Sequence, residues 1–117
     1  MINQEEFIKE LRVGNWVLHE GTITKKQVEP LDFSRMEEFI ECYEPILLTP
    51  EILGNSGFEC DDNFQYSNKE CRLTKNANGG FAFWIGLDGG YLADMYYVHQ
   101  LQNLYFALMG EELEIKL

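Results

Sequence analysis

Two histidines, three cysteines and a pair of adjacent aspartates are the residues here with the chemistry to hold a metal or attack a carbonyl: His19, His99, Cys42, Cys60, Cys71, Asp61 and Asp62. A structural zinc site is built from ligands paired at short spacing. Cys60 and Cys71 lack that spacing, so no metal site and no cofactor is expected. Cys42 or Cys71 with His99 and an acid supplies the inventory of nucleophile, base and orienter. Such a group is defined by geometry and not by inventory, and the sequence singles out no catalytic residue. Asn78-Gly79-Gly80 and Asp88-Gly89-Gly90 are glycine-rich, but neither carries the lysine and serine or threonine of a phosphate-binding loop. Both read as turns.

The most suggestive constellation is His99, Gln102, Asn103 and Phe106, which recur at spacings of three and four and so share one face of a helix. A large ring beside three polar groups is unusual on a solvated face. In one reading Phe106 packs under the N-terminal segment while the polar groups bond loop backbone, as buried polar groups commonly do. In the other the four residues form a partner-docking surface with Phe106 as its apolar anchor. These four are the candidate partner-binding residues.

The helix that must carry them runs through Tyr97 to Met109. At about 100° per residue, Val98, Leu101, Leu104, Tyr105, Leu108 and Met109 fall within one apolar arc, with His99, Asn103 and Ala107 opposite. Gly110 follows the last apolar residue and predicts the stop. Asp94 is a candidate cap, although Tyr91 to Tyr96 also reads as a strand, which moves the border toward Tyr97.

Upstream, Asn3 and Glu6 have capping-box spacing ahead of Phe7, Ile8 and Leu11, which predicts a short helix broken at Gly14. Strands are expected at 15–19 and 22–28, joined through Glu20-Gly21. A helix capped by Ser34 and Glu37 follows, with Met36, Phe39 and Ile40 inward; Thr49 and Pro50 then open another turn of helix that ends by Gly54 or Gly57. Alternation marks strands around Phe64 to Tyr66, around Cys71 to Leu73, and most clearly at Phe81, Phe83, Ile85 and Leu87. Asp88-Gly89 predicts a hairpin into Tyr91-Leu92-Ala93, and the alternation of Leu113, Ile115 and Leu117 predicts a closing strand. No internal repeat, linker or low-complexity stretch divides residues 1–117, so one domain is expected.

Twenty acidic residues against nine basic ones give a formal charge of −11, with dense acid at Glu37, Glu38, Glu41 and Glu44 and again at Glu111, Glu112 and Glu114. Such a chain repels phosphate backbones and anionic membrane surfaces within about a Debye length. Direct nucleic-acid and membrane binding are therefore not expected. Three cysteines without pairing, and no long apolar run, point to reduced thiols in a cytoplasmic setting. Eight Phe, six Tyr and two Trp supply the burial for a folded core.

The run Tyr97-Val98-His99-Gln100-Leu101-Gln102-Asn103-Leu104-Tyr105-Phe106-Ala107-Leu108, followed by Gly110-Glu111-Glu112-Leu113, resembles a family of small uncharacterised proteins of Bacteroidetes genomes and their phages or prophages. Leu11 to Asn15, Glu44-Pro45-Ile46 with Leu48-Thr49, and Gly57-Phe58 look like further landmarks in the same order. This chain has Leu47 where the resemblance leads one to expect proline, and Met109 where threonine is frequent. The resemblance implies a phage-related or mobile-element context and carries over no catalytic residues.

The expected architecture is α+β: an antiparallel sheet, the C-terminal amphipathic helix packed on it, and a closing strand. Whether the N-terminal hairpin joins that sheet or closes into a small barrel stays open. The expected function is a non-enzymatic protein-interaction module, with a protein partner or self-association. The alternative is an acidic inhibitor that imitates nucleic-acid charge and blocks a basic host protein; an enzyme ranks third.

Overall fold

The computed structural model describes residues 3–19, 24–38, 42–62, 64–86 and 90–117, with the side chains of residues 24, 37 and 38 left aside. Helix α1 (Gln4–Glu10) opens where Asn3 accepts from the Glu6 N–H at 2.8 Å, and it buries Phe7. Strands β1 (Trp16–His19) and β2 (Thr24–Gln27) pair antiparallel, with Val17 opposite Lys26. The Glu20-Gly21 connection expected between them lies outside the described residues. Helix α2 (Pro30–Glu38) starts earlier than the Ser34 spacing predicts. Proline suits a first helical position, and Asp32 reaches back to accept from the Glu29 N–H at 2.8 Å, so the cap lies there and Ser34 is interior. Met36 is buried as expected, whereas Phe39 and Ile40 lie outside the described residues.

Strand β3 (Tyr43–Pro45) pairs with the other side of β1, which makes a three-stranded sheet of order β2-β1-β3. The N-terminal hairpin therefore neither joins the main sheet nor closes a barrel. Helix α3 (Pro50–Asn55) is capped by the Thr49 hydroxyl, which accepts from the Ile52 N–H at 3.2 Å. Then β4 (Glu59–Cys60), β5 (Gln65–Asn68), β6 (Cys71–Lys75), β7 (Phe81–Ile85) and β8 (Gly90–Met95) form an antiparallel meander in chain order. The turn expected at Asp88-Gly89, and Leu87 before it, lie outside the described residues. Helix α4 (Val98–Met109) ends at Gly110, whose φ of +72° is a left-handed conformation that glycine adopts at little cost. At its other end the Gln100 side-chain oxygen (Oε1) accepts from the backbone N–H groups of Tyr96 and Tyr97, which sets the border at Tyr97 and not at Asp94.

The period of two in the meander puts Tyr66, Cys71, Leu73, Phe81, Phe83 and Met95 into one core with Val98, Leu101 and Tyr105 of α4. The C-terminal helix thus covers one face of the five-stranded sheet, and the fold is α+β. A second cluster holds Phe7, Leu11, Val17, Val28, Met36 and Tyr43. Strand β1 serves both, since Val17 enters the second cluster while Trp16 and Leu18 pack against the first. Backbone bonds join the halves: Leu48 N–H to the Tyr96 carbonyl and Val98 N–H to the Ile46 carbonyl, both at 2.9 Å.

The closing strand does not form. Leu113 and Ile115 are buried on alternating positions, but the tail lies extended on the core, and the Lys116 N–H donates to the Ser56 hydroxyl at 3.0 Å instead of to a strand. Alternating burial needs only an extended backbone on a core, whereas a ladder needs an open edge beside it. Among the described residues no helix is long and apolar enough to cross a membrane.

Candidate functional site

The four helix residues singled out by spacing meet the chain's own N-terminal segment. His99 is fully buried and its Nε2 lies 2.7 Å from a Glu10 carboxylate oxygen, between an edge-on Phe7 ring and a stacked Tyr97 ring. Burial pushes the His99 pKa below its ordinary value, against the opposing pull of Glu10. The neutral ring then donates Nε2–H to Glu10 and leaves Nδ1 as a bare lone pair, which matches the absence of a partner for that atom among the described residues.

Gln102 is also buried: its oxygen accepts from the Trp16 N–H at 2.9 Å, and its amide donates to the Gly14 carbonyl at 3.2 Å. Gly14 adopts φ +96°, the left-handed region that a Cβ disfavours, and this turn aims its carbonyl at the helix. Asn103 donates to the Glu10 carbonyl at 2.6 Å and accepts from Asn15 at 2.9 Å and Arg12 Nε at 3.1 Å. Arg12 pairs with Glu112 and lays its guanidinium 4.6 Å from the centre of the Phe106 ring.

Only Phe106, at 41% exposure, stays open to a partner. The polar face of α4 is a clamp on residues 10–16, so His99 and Gln102 offer a partner no surface. Leu108, assigned to the inner arc, is instead 38% exposed. Sequence reasoning missed the clamp's other half, Glu10, Arg12, Gly14 and Asn15, because side-chain bonds across nearly the whole chain have no period.

A second polar cluster is likewise turned inward. Burial would raise the Asp32 pKa, yet the Glu29 N–H, the Tyr43 hydroxyl at 3.0 Å and the Lys26 ammonium at 3.6 Å together hold it below its ordinary value. Burial, then the Asp32 carboxylate, pushes Tyr43 up to about 12. His19 lies against Tyr43 with ring centres 4.6 Å apart and the planes tilted by 42°. Cys71 is buried, which raises its thiol pKa; Cys42 is half-buried and Cys60 exposed. Among the described residues no three His, Cys, Asp or Glu side chains gather as a metal site.

The outer face of the meander carries Trp84, which meets Tyr91 edge-on at 5.4 Å, lies 5.6 Å from the Arg72 guanidinium and donates its indole N–H to Thr74 at 3.0 Å. These contacts are cross-strand pairs that stabilise the sheet from its solvent side.

The concave surface of a different kind is a groove of about 640 Å³ between the two halves of the fold. Phe7 of α1, Leu18 of β1, Ile46, Leu47, Ile52 of α3 and Tyr97 give it apolar walls, and β3 runs along it. Its polar lining is largely engaged: the Tyr43 hydroxyl is bonded to Asp32 and the Thr49 hydroxyl caps α3. Leu47, 65% exposed, stands at the lip and also borders a smaller cavity of about 320 Å³. None of the residues raised at the outset as nucleophile or metal ligand lines the groove.

Comparison with protein-family models, curated proteins and solved structures gives no significant match.

Proposed function

We propose that this chain is a non-enzymatic protein-interaction module, of phage, prophage or mobile-element origin, that receives a segment of a partner protein in the groove between α1, β3 and α3. The observation that carries the reading is the groove itself: about 640 Å³ of concave, apolar-walled space whose Tyr43 and Thr49 hydroxyls are committed to the fold. That volume falls within the roughly 300–1,000 Å³ typical of binding sites, and apolar anchors seated in such pockets dominate interface energetics. Tyr43, moved to about 12, is removed from acid–base chemistry near neutral pH. The docking surface thus shifts from the outer face of α4, where clamping leaves only Phe106 open, to a place assembled from segments far apart in sequence. The mobile-element setting is supported by the sequence resemblance alone, which is densest in the run from Tyr97 to Leu113.

The test is selection of 12-residue sequences from a random peptide display library on the full chain, followed by amide chemical-shift mapping of the enriched peptides. Shifts clustered on Leu18, Ile46, Ile52 and Tyr97 are expected. No enriched sequence, or shifts concentrated away from the groove, sinks the reading.

A further inference from the structure

We infer that the segment the groove receives is basic, carrying lysine or arginine beside a large apolar side chain; this rests on the groove being the docking site. Charge complementarity, at the groove and in the molecule as a whole, favours such a segment. Among the described residues Glu44 is the one charged side chain lining the groove, and it is exposed. Exposed Glu5 directly follows Gln4 on the α1 wall, and exposed Glu51 directly precedes Ile52 on the α3 wall. Lys75 borders the smaller cavity across Leu47 and not this one.

Elsewhere several cations are already spent on carboxylates, Arg12 on Glu112, Lys26 on Asp32 and Lys69 on Glu111. The formal charge of −11 is what remains after all nine cations are counted, and at the groove itself Glu44 flanks Leu18 on one side while exposed Lys25 lies cross-strand on the other. An acidic segment meets repulsion both at the rim and at long range, whereas a basic one is steered in and keeps its charges wet at the rim while its apolar side chain fills the floor. The concave shape selects a single anchored segment over a flat domain face.

Three fluorescein-labelled 12-residue peptides test this by anisotropy with the full chain in 0.1 M NaCl. One alternates leucines at helical spacing with lysines; the second has every lysine replaced by glutamate; the third keeps the lysines and has every leucine replaced by serine. Saturable binding of the leucine–lysine peptide alone is expected, weakened by Glu44→Lys about fivefold or more and weakened also by Leu47→Ser. Both positions are exposed, and thermal melts confirm that the variants fold. Raising the salt to 1 M, where the Debye length drops from about 10 Å to about 3 Å, should weaken it further.

Equal binding of the glutamate peptide, or an affinity indifferent to Glu44→Lys, overturns the basic-segment inference while leaving the groove as the site. Equal binding of the serine–lysine peptide reduces the effect to bulk charge and overturns both. Absence of binding by all three overturns the inference, and the unbiased library selection then decides the groove reading separately.

Discussion

Replacing Gln102 with leucine removes the centre of the clamp that holds residues 10–16 on α4, and the structure shows which bonds go unmet. The Trp16 N–H loses its acceptor at 2.9 Å, and the Gly14 carbonyl loses a donor at 3.2 Å. Gly14 retains a second donor, the Gln27 side chain at 3.1 Å, and the Asn15 amide retains Asn103 at 2.9 Å. One part-buried backbone donor at the start of β1 is therefore left without its acceptor. Such an orphan costs roughly 1–3 kcal/mol. Leucine returns apolar burial of similar volume, so no large cavity term adds to it.

The expected loss is about 2 kcal/mol. It should be read as a lower urea midpoint with an unchanged slope, since the exposed area on unfolding stays the same. Gln102→Glu is the sharper partner experiment. Its carboxylate still accepts from Trp16 but has no donor for Gly14 and brings a charge to a position only 2% exposed, so it should cost more than leucine. A loss below about 0.5 kcal/mol for both variants would refute the clamp, because it would mean that Trp16 and Gly14 find water or other partners freely.

Three further outcomes follow from the same geometry. His99 has its pKa lowered from the ordinary 6.5 by burial, so below pH 6.5 the unfolded chain binds a proton that the folded one refuses. Stability is then full above that pH and falls as pH drops toward the folded value, with a slope of at most about 1.4 kcal/mol per pH unit; urea midpoints of His99→Gln measured from pH 7.5 to 5 should be flatter than wild type, and parallel curves would count against it. Phe106→Ala should cost about 1 kcal/mol, because the ring is 41% exposed and loses mainly its contact with Arg12; a loss above 3 kcal/mol would make it a core residue. Gly80→Ala should destabilise by roughly 1–3 kcal/mol, since an added Cβ would stand 2.5 Å from the Tyr96 ring and 2.7 Å from the Met95 carbonyl; a thermal melt unchanged from wild type would show that Tyr96 yields.

Much of the local structure was legible because it is local physics. Phe81 and Phe83 alternate as a half-buried strand must, Thr49 and Pro50 announce α3 through one hydroxyl and one missing N–H, and Gly110 ends α4 where a left-handed residue is needed. The Leu113–Ile115 alternation misled because burial with period two is shared by strands and by extended tails on a core. Likewise Ser34 and Glu37 imitated a cap four residues inside a helix whose actual cap comes from Asp32. The groove was invisible for a different reason. Its walls come from α1, β1, β3, α3 and the residue before α4, and no pattern along the chain records which segments the tertiary fold brings side by side.

The clamp and the groove are two consequences of one placement. Helix α1 is held at its C-terminal end by Glu10, through its carboxylate to His99 and its carbonyl to Asn103. From its N-terminal half it contributes Asn3, Gln4 and Phe7 to the groove. Phe7 belongs to both, since its ring meets His99 edge-on at 5.2 Å while lining the groove. With a helix of only seven residues, too short to be stable alone, the wall has the position it has because polar groups on α4 hold the far end. The residues that spacing marked as a docking surface therefore bear on docking at one remove. His99 and Asn103 hold in place the helix against which, in the proposed reading, a partner packs, while Phe106 stays exposed.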